Sequence, residues 1–135
     1  MGDPLHFDAD DLLEKLPEPG YYRATVATAR HRTSAAGNPM IQVVHELEGV
    51  SAGHARVSEY FALGGSARGQ AMARRKLAQL YRACGLAPKG GDAIDPADLL
   101  GAQLEVRVEH DEWNGEPRLR VASHRSPAAP GRTPF

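Results

Sequence analysis

The sequence has one cysteine, Cys84, in 135 residues. A single thiol excludes an intrachain disulfide and a thiolate metal cluster, and nothing suggests an oxidising compartment. No apolar run approaches the roughly 20 residues needed to span a bilayer. The start, Met1-Gly2-Asp3-Pro4-Leu5-His6, lacks a charged-then-apolar signal pattern, and His6 stands where a myristoylation motif wants Ser or Thr. A cytoplasmic protein is expected. Internal repeats at a period of about 20–50 residues are also missing. One sign of charge does not dominate either: the formal net charge is −1, which on its face argues against a phosphate-rich partner.

That average conceals a division along the chain. Residues 1–19 carry Asp3, Asp8, Asp10, Asp11, Glu14 and Glu18 against Lys15 alone, a net of −5. The remainder, with 15 basic and 11 acidic residues, is therefore about +4. One domain with a real core fits this length, and two do not.

Catalytic patterns are absent as well. His45-Glu46-Leu47-Glu48 lacks the second histidine of a zinc-protease helix, and its alternation reads as strand. Gly64-Gly65-Ser66-Ala67-Arg68-Gly69 lacks the Lys-Ser/Thr of a phosphate-binding loop and more simply caps a helix. His110-Asp111-Glu112 and His124 have ligand-type side chains at no diagnostic spacing, so no metal or cofactor is expected. Cys84 has no activating neighbour and reads as core. A binding protein, not an enzyme, is the expectation.

What the chain does have is strand chemistry bounded by turn formers. Leu12, Leu13 and Leu16 sit on one side of a short helical segment that Pro17-Glu18-Pro19-Gly20 ends. Strands follow at about 21–32, long enough to need a bulge, and at 40–47 and 56–63, the latter two forming a hairpin. Ile41, Val43 and Leu47 alternate with Met40, Gln42, Val44 and Glu46, while Val57, Phe61 and Leu63 alternate with Arg56, Ser58 and Tyr60. Ser66 then caps a helix with Ala73, Leu77, Leu80 and Cys84 on its buried stripe, ended by Gly85 and Pro88. Strands at 103–110 and 118–125 flank Asn114-Gly115, a hairpin signal. The expected class is mainly β: a five-stranded OB-fold Greek-key barrel over residues 20–125, with one helix between strands 3 and 4. It is preceded by the acidic segment 1–19 and followed by a disordered, proline-rich tail, 126–135.

Several strings are similar to a known family. Leu16-Pro17-Glu18-Pro19-Gly20-Tyr21-Tyr22, Thr33-Ser34-Ala35-Ala36-Gly37-Asn38-Pro39-Met40, Glu59-Tyr60-Phe61-Ala62-Leu63, Asp95-Pro96-Ala97-Asp98-Leu99-Leu100-Gly101 and Trp113-Asn114-Gly115 resemble, in order and spacing, phage and prophage proteins of "domain of unknown function 669". Trp113 departs from the smaller or tyrosine-like aromatic expected there. The resemblance implies an OB-like single-stranded-DNA-binding role in phage replication or recombination. Thr133-Pro134-Phe135 is similar to the Pro-Phe tip by which bacterial single-stranded-DNA-binding proteins recruit partners, although Arg132 stands where an acidic run belongs.

Single-strand binders pair a cationic groove with exposed aromatics on which bases stack. The candidates are Arg30 and Arg32 at the mouth of the first loop, Arg56 and Tyr60 facing out on strand 3, Trp113 in the last loop, and Arg118 and Arg120 on strand 5. The helix adds Arg68, Arg74, Arg75, Lys76 and Arg82, which read as a solvated face. The partner expected is single-stranded DNA, with RNA left open, together with phage recombinase or replication proteins. The alternative is an OB domain that docks such a protein and binds no nucleic acid itself. Self-pairing, and whether the acidic segment packs as structure or competes for the groove, are left open.

Overall fold

The computed structural model describes residues 16–86 and 95–127. The expected helical segment before Leu16 and nearly all of the expected tail lie outside the described residues, as does the loop between Leu86 and Asp95. The chain runs β1 (Gly20–Thr33), β2 (Pro39–Leu47), β3 (Arg56–Ala62), α1 (Ala67–Ala83), β4 (Gln103–Trp113) and β5 (Glu116–Arg125), with short 3-10 turns at Ala52–His54 and Pro96–Leu99. No helix among the described residues is long and apolar enough to cross a membrane.

The five strands make one antiparallel sheet in the order β3-β2-β1-β4-β5. β1 serves two neighbours, pairing through Gly20–Thr25 with β4 and through Ala24–Thr33 with β2. The expected bulge lies between Val26 and Thr28, where β1 has one residue more than β2. An extra residue strengthens local twist and bends the strand, which lets a 14-residue strand turn across the core. The hydrogen-bonded sheet stays open: β3 and β5 are its edges and touch each other without a backbone ladder.

α1 packs on both edges. Ser66 Oγ accepts from the Gly69 N–H at 3.1 Å, meeting one orphan donor of the first turn. Leu77, Leu80, Tyr81 and Ala83 are buried against Ile41, Val43, Phe61, Leu104, Val106 and Val108 in one core cluster. Cys84, placed on the buried stripe by its spacing, sits half-buried at the helix C-cap, and burial pushes its thiol up to about 11.

Two sequence expectations need correction. Gln42, expected to face out, is buried, because long side chains from β1 and β3 cover the outer face of β2. Trp113, expected at a loop tip, ends a strand instead: it pairs with Glu116, and only Asn114 and Gly115 form the turn. Both turn residues have positive φ, 52° and 80°, as a type I′ hairpin turn requires. A Cβ at Gly115 would be forced into the left-handed region. Gly115→Ala should therefore cost about 1–2 kcal/mol, read as a lower urea midpoint with an unchanged slope.

Candidate nucleic-acid interface

Three neighbouring strands put Arg30, Gln42 and Tyr60 opposite one another, since Arg30 pairs with Gln42 and Gln42 with Tyr60. Gln42 Oε1 accepts from Arg30 Nε at 3.3 Å and Arg32 Nη1 at 3.0 Å, and Gln42 Nε2 donates to the Tyr60 hydroxyl at 3.3 Å. The buried amide thus fixes one guanidinium and one phenol in a row, with a second guanidinium beside it. Neither guanidinium has a carboxylate partner among the described residues, and Tyr60 is 54% exposed. Each guanidinium keeps donors free for an anion.

Tyr60 also walls a cleft of about 560 Å³ between β3 and β5. Arg56, Lys76, Arg118 and Arg120 line it, and the one carboxylate lining it among the described residues is Glu59. Tyr60 also borders a smaller depression of about 350 Å³ formed with Met72, Arg75 and Gln79 of α1. Five of the six other expected residues therefore gather around Tyr60. For Trp113 only the backbone bears on the question: it lies one rung beyond the Glu112–Pro117 pair, and Pro117 lines the cleft.

The arginines are not equivalent. Arg56 lies 3.3 Å from Glu46, Arg118 3.7 Å from Asp111, and Arg120 contacts Glu109 and Asp111. To hold a phosphate these three must share or surrender a carboxylate. Arg30 and Arg32 need not.

Beneath the cleft lies a cluster that the spacing of its residues in sequence did not single out. His45 of β2 is 0% exposed, Glu59 of β3 is 7% exposed, and His124 of β5 is 5% exposed. Glu59 Oε1 lies 2.9 Å from His45 Nε2 and 2.7 Å from His124 Nε2, with Oε2 at 3.0 Å from the latter. Lys76 Nζ, 3.5 Å from Glu59 Oε2, also donates to the Val121 carbonyl. Gln79 Oε1 accepts from the His124 backbone N–H at 3.2 Å, which fixes the amide's orientation, so the 2.9 Å contact makes His124 Nδ1 a donor. Side chains from β2, β3, β5 and α1 thus hold together the seam that no backbone ladder closes.

Burial pushes the Glu59 carboxyl up, but the hydrogen bonds and charges of His124 and His45 outweigh it and hold the pKa at about 2, against an ordinary 4.5. A carboxyl depressed by folding contributes stability in full above its unfolded value, and that stability is lost as pH falls through the folded one. In metal-free buffer the chain should lose on the order of 3 kcal/mol between about pH 5 and pH 2 from this group. Glu59→Gln should flatten that part of a plot of urea midpoint against pH.

The signal for two of the three was present. His45 falls in phase with Ile41, Val43 and Leu47, and Glu59 with Val57 and Phe61. No family model matches the chain, and no curated protein matches it either, so the reading of this surface rests on its own residues.

Proposed function

We propose that this chain binds single-stranded nucleic acid, with little regard to sequence, on the surface centred on Tyr60. The fold we read as an OB-fold whose β3–β5 seam is left to side chains, a family of sheets that holds oligonucleotides on strands 2 and 3 and the adjoining loops. The observation that carries the reading is the Arg30–Gln42–Tyr60 row with Arg32 beside it. An exposed ring whose hydroxyl is tied to the amide that also holds two guanidiniums offers a base a stacking face and its phosphates a charge-assisted contact. The resemblance of the Thr33–Met40 string to the phage family supports single-stranded DNA in a replication or recombination system as the ligand.

Oligo-dT of roughly 4–16 nucleotides should bind at micromolar concentration or tighter, with duplex of equal length weaker, as read by fluorescence anisotropy. Trp113 is the sole tryptophan, and its emission should fall as single strand is added. Equal affinity for duplex would remove the stacking model. A second reading, a partner protein docked on the same face, is favoured by the carboxylates that already hold Arg56, Arg118 and Arg120. It predicts no salt-dependent binding of oligo-dT.

A further inference from the structure

We propose that His45, Glu59 and His124 form a binding site for one transition-metal ion of the zinc class, which fastens β2, β3 and β5 across the open seam. The site lies beside the nucleic-acid surface and does not depend on that reading. One ligand atom from each residue can be chosen so that all three lie within 4.8 Å of one another, and all three residues are buried. Both imidazoles turn the same nitrogen, Nε2, on the same oxygen, Glu59 Oε1. Two rings crowd one carboxylate oxygen, and the remaining ring nitrogen of His45, Nδ1, is buried without a hydrogen-bond partner among the described residues. An ion between the three atoms displaces the Nε2 protons directed at Glu59 and takes up both nitrogen lone pairs and the carboxylate charge at once.

An ion needs a rearrangement of the three side chains but no movement of the strands. Zinc at about 2.0–2.1 Å from tetrahedral ligands separates them by about 3.3 Å. The oxygen-to-nitrogen distances of 2.9 and 2.7 Å would have to open by about half an ångström, and the widest ligand pair, up to 4.8 Å apart, to close by as much as about 1.5 Å, both through side-chain rotation. The surroundings also suit a ligated histidine. His124 donates its other nitrogen, Nδ1, to Gln79, the outer contact that orients a metal-binding imidazole. Lys76 stands on Oε2, away from the shared oxygen. Two imidazoles and one carboxylate select zinc or a similar borderline ion over magnesium or calcium, which want oxygen alone. Three protein ligands leave one tetrahedral position, for the second carboxylate oxygen or for water from the cleft that Glu59 lines.

The test uses the full chain stripped with chelator and no nucleic acid. Zinc titrated calorimetrically should bind at one equivalent and raise the Tm, and cobalt should give the intense visible bands of a tetrahedral site. Glu59→Gln keeps the side chain's shape and should abolish the one-to-one binding. Gln79→Ala, at an exposed helix position, should leave the circular dichroism unchanged and weaken zinc roughly 10- to 100-fold. If Glu59→Gln does not fold, Gln79→Ala decides alone. Absence of stoichiometric zinc binding by the folded chain overturns the proposal. So does binding that is equally tight in Gln79→Ala, because the ion then sits on other histidines.

Discussion

Glu59→Ala should cost on the order of 3–5 kcal/mol of folding stability, the largest effect expected of any single change at the seam. The alanine removes the acceptor for both His45 Nε2 and His124 Nε2 and leaves the Lys76 ammonium facing them. A buried donor without a partner suffers its full desolvation penalty, and there are two here. Against a domain stability of about 5–15 kcal/mol, such a loss should bring the urea midpoint down by about a fifth or more. The cost comes from stranding the partners. Replacing His45, Glu59 and His124 together by apolar residues of similar volume should recover most of it. If the single and the triple variants melt alike, the polar character of the cluster is not what holds the seam.

The second large effect concerns binding. Tyr60→Ala should weaken oligo-dT by about 5- to 150-fold, the 1–3 kcal/mol that a base-stacking aromatic contributes, with little change in Tm because the ring is exposed. The paired change Arg30→Ala and Arg32→Ala should act differently, lowering the slope of log affinity against log salt by about 1.4, near 0.7 for each phosphate that is no longer neutralised. Arg118→Ala with Arg120→Ala should lower it less. Those two guanidiniums already neutralise Asp111 and Glu109, so their removal releases two carboxylates beside the cleft as well as two cations. Should that pair matter more than Arg30 and Arg32, the ligand runs along the cleft and not across the row. Tyr60→Ala binding at full strength would remove the platform altogether.

Local signals along the chain specified the elements and much of their facing. Period-two alternation set β2, β3 and β4, Ser66 and the Leu77 and Leu80 stripe set α1, and Asn114-Gly115 set the last turn, all local signals that a side chain carries with it. The same alternation also put His45 and Glu59 on the inner face, legible once a polar residue in an apolar phase is taken as a finding. His124 was not legible. It is out of phase with Leu119 and Val121, and it turns inward only because β5 has one residue more than β4 between Val121 and Ser123, a slip in pairing that exists only between strands. The row of Arg30, Gln42 and Tyr60 is of the same kind, since it depends on the register of three strands. So is the neutralisation of Arg118 and Arg120, because their carboxylates lie on the neighbouring strand. Local chemistry decides which way one strand faces, but which side chains meet across strands is decided by pairing register and by bulges, and those come only with the folded sheet.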